Sequence, residues 1–347
     1  MKHRFPFIWR LSDGYPAEGI KPNGLRVFGT FICGGGSSMG YKLAGYEHLG
    51  GVEIDPKIAE IYRINHHPKM LYAEDLRSFN KRDDLPQELY QLDVLDGSPP
   101  CSTFSMAGSR EDAWGKEKKF AEGQALQTLD DLVFVYCETI LKLRPKVFIL
   151  ENVAGLAKGN AKSYLRRVFD KLNAGGYSVQ CFLLNSARMG VPQSRERCFV
   201  IGRKKEFNWP NLKLNFTEEE IVFLKCQDVD DFSNTLSDSE KAAWEKKIPS
   251  DFCLADVNLR VRSKNSGFTT PIVHSDQVCP TITAGTPGGI LYDYPRKMNA
   301  NELRRVGTFP EDYDCPDVKI GWLIGMSVPP VMMAQIAHQI AIQWFNC

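Results

Sequence analysis

From Leu25 to Arg203 short apolar runs alternate with amphipathic stretches, and no other feature restricts this chain so much. Short runs rich in Val, Ile, Leu and Phe are the mark of strands buried on both faces, which is how strands lie in a parallel sheet covered by helices. Strands are predicted at Leu25–Phe31, His48–Ile54, Val94–Gly97, Lys146–Glu151, Val179–Leu184 and Cys198–Gly202. Helices are predicted at Met39–Ala44, Pro56–Asn65, Leu126–Leu143 and Ala161–Asn173, the last stopped by Gly175-Gly176. The predicted fold class is α/β, a doubly wound, Rossmann-like domain. After Lys204 sustained periodicity is lost, and an ordered stretch begins again at Pro280-Thr281-Ile282-Thr283. A chain of 347 residues can bury one large core and one smaller lobe. The expected divisions are an N-terminal extension 1–24, the sheet domain 25–203, a second region 204–278 and a C-terminal part 279–347. The final apolar stretch Val331–Phe345 has helical spacing and is expected to pack back onto the sheet domain.

Charge and cysteine usage remove several classes. A formal net charge of +1 argues against a uniformly basic coat, so any nucleic-acid contact must come from local patches. The ten cysteines form no CxxC pair and no Cys/His cluster at zinc-ligand spacing. Neither a structural metal nor a disulfide framework is expected, and a reducing cytoplasm fits best. No apolar run approaches the ~20 residues that span a bilayer, and Met1–Arg10 lacks the apolar core of a signal peptide. No membrane association is expected.

Five stretches carry chemistry. Phe31-Ile32-Cys33-Gly34-Gly35-Gly36 follows a predicted strand and opens a helix, where glycines let the backbone approach a ligand closely. Alone, such a turn is equally a tight strand-to-helix connection. The next predicted strand ends in Glu53-Ile54-Asp55, and an acidic side chain at that tip suits the hydroxyls of an adenosine ribose. Asp75 could accept from an adenine amino group. The absence of a Walker sequence makes S-adenosylmethionine a better candidate than ATP or a nicotinamide. Asp96-Gly97-Ser98-Pro99-Pro100-Cys101 places a thiol at the carboxyl edge of the sheet, its approach fixed by paired prolines. Lys146–Leu150 ends in Glu151-Asn152-Val153, where burial would suit the carboxyl group to act as an acid near neutral pH. In Gln193-Ser194-Arg195-Glu196-Arg197 a strand-like alternation puts Arg195 and Arg197 on one face, able to hold a base carbonyl or a phosphate.

Taken together these residues resemble the cytosine-C5 DNA methyltransferase family. Pro100-Cys101, Glu151-Asn152-Val153, Gln193–Arg197, Pro280-Thr281-Ile282-Thr283-Ala284 and Gly325–Pro330 fall in the order of that family's motifs. The resemblance implies an S-adenosylmethionine-dependent methyltransferase domain with a smaller target-recognition domain, the latter in 204–278. It implies Cys101 as nucleophile toward C6 of a flipped cytosine, Glu151 as the acid at N3, and Arg195 and Arg197 as holders of the base carbonyl. It assigns the cofactor to Phe31, Ile32, Gly35, Gly36, Glu53, Ile54, Asp75, Leu76, Pro99, Leu132, Ser327 and Val328, with no metal. The implied partner is double-stranded DNA, bound by a monomer, with any cognate restriction endonuclease acting as a separate protein. Two positions depart from the pattern. Cys33 stands where the family usually has glycine, and Met326 where it usually has asparagine.

A tRNA cytosine methyltransferase would share the catalytic motifs, but the Cys-Phe-Thr signature of that branch is absent around Phe309–Asp314. A silent DNA-binding regulator could use the same fold if Cys33 and Met326 abolished cofactor binding. A nicotinamide oxidoreductase would have no use for Cys101 together with Glu151. The expected reading head is Arg260, Arg262, Lys264, Asn265 and Ser266, with Lys225–Thr235 as the second candidate.

Overall fold

The computed structural model describes residues 3–100, 131–157, 161–231, 233–263, 270–286 and 288–347. Two compact units divide these residues. One comprises Tyr15–Asn185, Glu196–Asn215 and Met333–Cys347, the other Met1–Gly14, Ser186–Arg195 and Phe216–Met332. The units therefore do not coincide with the expected divisions. The N-terminal residues up to Gly14 group with 216–332, and the ten-residue segment Ser186–Arg195 is taken out of the sheet domain.

In the first unit the described residues hold a seven-stranded sheet in the order β3-β2-β1-β4-β5-β7-β6. Its strands are β1 (Arg26–Thr30), β2 (Glu47–Val52), β3 (Met70–Tyr72), β4 (Val94–Gly97), β5 (Val147–Val153), β6 (Tyr177–Asn185) and β7 (Glu196–Lys204). The pairs from β3 through to β5 are parallel, whereas β7 runs antiparallel to both β5 and β6. Helices α1 (Gly36–Leu43), α2 (Pro56–His66), α3 (Leu76–Lys81), α4 (Leu132–Leu143) and α5 (Ala161–Ala174) accompany the strands. The doubly wound expectation holds. Of the predicted helix Leu126–Leu143, the first five positions lie outside the described residues. Strand β3 and helix α3 escaped sequence reading because segments of three and six residues are too short to show a period.

The central strands are almost wholly apolar, and Phe28, Leu95, Phe148, Leu150 and Val200 belong to one buried cluster with Tyr136, Ile140 and Leu143 of α4. Tyr136 does more than fill space. Its hydroxyl lies 2.9 Å from the Leu95 carbonyl and 2.7 Å from that of Ile149, so one proton is offered to two adjacent strands. The ring also dictates a glycine, since a Cβ on Gly97 would lie 2.5 Å from Tyr136 Cε2 and 2.6 Å from Thr30 Oγ1.

In the second unit the stretch expected to lack periodicity contains two short helices, α6 (Asp238–Trp244) and α7 (Leu254–Arg262). They share a small core of Ala243, Leu254 and Val257 with β8 (Ile272–Val273) and β9 (Ile290–Leu291), which pair in parallel. A buried charge centre supplements it. The Arg296 guanidinium makes a two-pronged contact with Glu302, at 2.7 and 2.8 Å, and the Glu302 carboxylate also accepts from the Asp228 and Asn299 amides. Helix α8 (Ala300–Val306) carries Glu302.

Helices α9 (Ile320–Met326) and α10 (Pro330–Ile340) correct the expectation about apolar runs. The stretch Ile320–Phe345 is 26 residues long and its most apolar 18-residue window has a mean hydropathy of 1.4, long and apolar enough by length and composition to cross a bilayer. Yet 83% of its most apolar window is buried inside the protein, which is the condition of a core helix. Within the sheet unit the chain end is fastened by Tyr46, whose hydroxyl donates to the Ala337 carbonyl at 2.8 Å, and by Trp344, whose indole N–H donates to the Pro210 carbonyl at 2.9 Å.

Replacing Tyr136 by Phe keeps the ring and removes only the shared hydroxyl. Two strand carbonyls then lose a buried donor, and urea unfolding is expected to show a loss of about 1–2 kcal/mol with an unchanged m-value.

Candidate functional site

In parallel strands all carboxyl ends lie along one edge, and ligands of such folds bind there, where the strand order reverses. In this sheet the reversal falls between β1 and β4. Phe31 follows β1 directly and Pro99 follows β4. The chain leaves β1 through two non-glycine residues in the left-handed region, Phe31 at φ 54° and Cys33 at φ 45°. The position where the family has glycine therefore has the backbone conformation that favours glycine, held here by Cys33 at a cost of about 1–2 kcal/mol. Gly35 caps α1 at φ 70°, and a Cβ there would fall 2.1 Å from Nε2 of His66, a buried ring stacked on Tyr62. Ile32 lies over the strands, its Cγ2 occupying the space above Gly29 and Gly51. Gly36 begins α1.

Glu53 stands just past β2, 7% exposed. One carboxylate oxygen accepts from the Cys33 amide at 2.9 Å and the other from the Asp55 amide at 3.0 Å. Burial raises its proton affinity and these amide bonds pull it back. A carboxylate offers about four acceptor sites, so the group can still accept from a hydroxyl donor such as a ribose hydroxyl. Ile54 is half-buried beside it. Asp75 caps α3, accepting from the Arg77 amide at 2.7 Å and pairing with the Arg77 guanidinium at 3.1 Å. Leu76 and Leu132 are buried first residues of α3 and α4. Cys101 lies outside the described residues.

Glu151, near the end of β5, is 8% exposed, and Arg197 Nε stands 3.2 Å from its Oε1. The sequence predicts a buried carboxyl group at this strand end, and the fold sets a guanidinium beside it. The contact follows from strand direction. Because β7 runs against β5, the register sets Arg197 opposite Val153 and Phe199 opposite Glu151, so the start of β7 lies at the carboxyl edge of the parallel strands. Asn152 fixes the neighbouring segment, its side-chain amide donating to the Pro99 carbonyl at 3.0 Å. Nothing in the sequence assigns Asn152 this task. Asp96 does carry a sequence signal, an acid inside the apolar run Val94–Gly97, and its carboxylate accepts from the Tyr41 hydroxyl at 3.2 Å.

The expectation that Arg195 and Arg197 share a strand face is corrected. Strand β7 begins at Glu196, and Arg195 belongs to the second unit, where its 3%-exposed side chain donates to the carbonyls of Ile282 at 2.9 Å and Gly325 at 3.0 Å. The same knot takes in Gln193, which accepts from the Ile282 amide, and Thr281, which donates to the Ser194 carbonyl. Gly325 is required there, since a Cβ would meet the Thr283–Ala284 backbone at 2.4 Å. Arg195 thus braces the segments around it. Ser327 caps α9, its hydroxyl donating to the Leu323 carbonyl at 2.8 Å, and Val328 is buried next to it, both within the second unit. Met326, at the end of α9, is 39% exposed. Among the described residues no cluster of His, Cys, Asp and Glu is placed to hold a metal.

Arg195→Ala would strand two buried carbonyls. Unfolding by urea is expected to show a loss of about 2–4 kcal/mol, and Arg195→Lys is expected to recover less than half of it, because an ammonium cannot span both acceptors in one plane.

Comparison with known proteins agrees with this geometry. The profile of the C-5 cytosine-specific DNA methylase family matches residues 25–341. The Type II methyltransferase M1.HphI of Haemophilus parahaemolyticus is 28% identical over 346 residues, covering 91% of this chain and 86% of its own. M.Bsp6I of Bacillus sp. strain RFL6, also a Type II methyltransferase, is 26% identical over 336 residues, covering 91% of this chain and 98% of its own. The fold is shared with Spodoptera frugiperda DNMT2, solved as a mutant, at a TM-score of 0.64 and 17% identity over 91% of this chain and 99% of that one. With a profile that spans all but the two ends of the sequence and a sheet edge built as described, the chain belongs to the C-5 cytosine-specific DNA methylase family.

Proposed function

We propose that the chain performs its family's reaction, methylation of cytosine C5 in DNA, through a covalent bond between Cys101 and C6 of a flipped base, with Glu151 serving N3. The observation that carries this reading is Glu151 itself, a buried carboxyl group held by Arg197 at the carboxyl edge, with Asn152 gripping the backbone two residues before Cys101. Cytosine C5 is a poor nucleophile. Thiolate addition at C6, with a hydrogen delivered to N3 by Glu151, gives C5 the electron density of an enamine. Arg197 then has two tasks, to orient Glu151 and to face the base carbonyl. Arg195, committed to the Ile282 and Gly325 carbonyls, supports the motif from behind and is not a second base contact.

The residues at the ends of β1 and β2 suit S-adenosylmethionine, which when bound supplies an electrophilic sulfonium methyl group. Glu53 offers acceptors to ribose hydroxyls, the left-handed turn from Phe31 to Gly35 brings backbone close to the ligand, and Asp75 with Leu76 would frame the adenine. Ile32, Gly36, Ile54, Pro99 and Leu132 complete this side, and Ser327 and Val328 are assigned from the family motif. Double-stranded DNA in the cytoplasm is the substrate, bound by a monomer at one short site. Any restriction endonuclease would act separately, as the Type II naming of the relatives suggests.

Cys101→Ser is expected to abolish methyl transfer while leaving cofactor binding nearly unchanged, and duplex DNA carrying 5-fluorocytosine should trap the wild-type chain covalently, since fluorine cannot leave as a cation. Full activity in the variant, or no adduct with cofactor present at a known site, would overturn the assignment.

The second unit is proposed to read the target. Of the residues expected to do so, Lys264, Asn265 and Ser266 lie outside the described residues, and Arg260 is tied to Asp251 at 2.7 Å and to the Lys246 carbonyl. Arg262, exposed at the end of α7, is the better candidate. Arg262→Ala is expected to weaken duplex binding and reduce the salt slope by about one, whereas Arg260→Ala should lower stability first. Binding titrations at several salt concentrations separate the two.

A further inference from the structure

The Gly-rich turn after β1 rests on a buried ring that the proposed reaction does not use. His66, the last residue of α2, is 5% exposed, and its imidazole lies directly beneath Gly35. A Cβ on that glycine would fall 2.1 Å from Nε2, 2.5 Å from Cε1 and 2.9 Å from Cδ2, so the ring fills the whole space that a side chain would need. The Gly34 backbone is its polar neighbour. The ring stacks on Tyr62, with centroids 4.2 Å apart and planes inclined by 10°. Tyr62 in turn donates its hydroxyl to Ser38 Oγ at 3.0 Å, and Lys42 Nζ donates to the His66 carbonyl at 3.1 Å. Ser38 and Lys42 belong to α1 and Gly35 is its N-cap, so the end of α2 is tied to α1 at its start and twice along its length. Burial pushes the ring's proton affinity well below the ordinary histidine range and the Lys42 charge adds to this, so the wedge is neutral.

The backbone above the ring explains why a wedge is needed there. Phe31 at φ 54°, Cys33 at φ 45° and Gly35 at φ 70° put three left-handed residues within one short turn, and the first two carry a Cβ. For such a residue the left-handed form is disfavoured about tenfold, and it persists only where the surroundings over-determine it. Two backbone contacts hold the turn from within and from the side of β2: the Gly35 amide donates to the Ile32 carbonyl at 2.8 Å, and the Cys33 amide donates to Glu53 at 2.9 Å. From α2 it is held by His66. We infer that His66 is a positioning residue for the cofactor, a wedge on α2 that keeps the Phe31–Gly35 turn in the left-handed form to which S-adenosylmethionine binds. The inference rests on the reading of that turn and Glu53 as the cofactor's site. His66 acts through the backbone and therefore on affinity, while the rate at saturating cofactor is set by other residues.

Binding of S-adenosylhomocysteine to the full chain, measured by titration calorimetry, tests this directly. Methyl transfer from tritiated S-adenosylmethionine to unmethylated genomic duplex DNA is followed alongside. His66→Ala empties the space beneath Gly35 and is expected to raise Kd about tenfold, and KM for the cofactor with it, while kcat stays within about twofold. Cys33→Gly supplies the rescue. Glycine takes the left-handed form as readily as the right-handed one, so in that background His66→Ala should weaken binding by no more than about threefold. An equal loss in both backgrounds means that the ring only fills the core, and overturns the inference. So does an unchanged Kd in His66→Ala, whether or not kcat falls. If His66→Ala does not fold, His66→Gln, which keeps a polar side chain and loses the flat ring, is compared in the same two backgrounds, and the same contrast is expected at smaller size. Glu53→Ala, run in parallel, separates the two readings. If it binds S-adenosylhomocysteine as tightly as the wild type, the reading of the cofactor site falls and the inference with it; if it binds weakly while the His66 variants do not, only the role of His66 is overturned.

Discussion

The sheet unit depends on one inverted strand. Had β7 run parallel to β5, its first residues would lie at the opposite edge, and Glu151 would be a buried carboxylate without a cation. An isolated buried charge of that kind costs several kcal/mol. The antiparallel register brings Arg197 alongside it at 3.2 Å, at the edge where the parallel strands end. The same edge gathers Phe31, Glu53 and Pro99, so the inverted strand delivers its cation to the edge where the parallel strand β5 already ends in the acid.

Compensation of buried polar groups is the common thread in both units. Tyr136 offers one hydroxyl to two strand carbonyls, Asn152 holds the Pro99 carbonyl, and Glu53 draws on two backbone amides. In the second unit, where the apolar core is small, a wholly buried Arg296–Glu302 pair closes with two-pronged geometry and satisfies the amides of Asp228 and Asn299 besides. Charge-assisted bonds of this kind fix orientation better than apolar contact does, because each has a preferred plane. Arg195 follows the same rule. Its fork links the Ile282 and Gly325 carbonyls, and sequence segments far apart are thereby held at one place.

Much of this was legible before any coordinates. The apolar runs marked six of the seven strands, because burial on both faces leaves a compositional trace, and Gly175-Gly176 marked the end of α5. Glu53 and Glu151 were legible because an acid that ends an apolar strand is conspicuous. Asp96 was just as conspicuous and went unassigned, since nothing in the sequence says which residue faces it. Strand β3 and helix α3 left no trace, being too short for either period to repeat.

What the sequence by itself determined was the chemistry: a thiol after paired prolines, acids at strand ends, a Gly-rich turn, and the order of motifs that places the chain in its family. What only the tertiary structure decided was which of these side chains stand together. An alternating Gln-x-Arg-x-Arg reads as one strand face, yet β7 begins between the two arginines, and one of them is spent on backbone carbonyls while the other meets Glu151. Local periodicity reports the direction of a side chain relative to its own backbone; the partner it meets is set by strand order and register, which are properties of the whole chain.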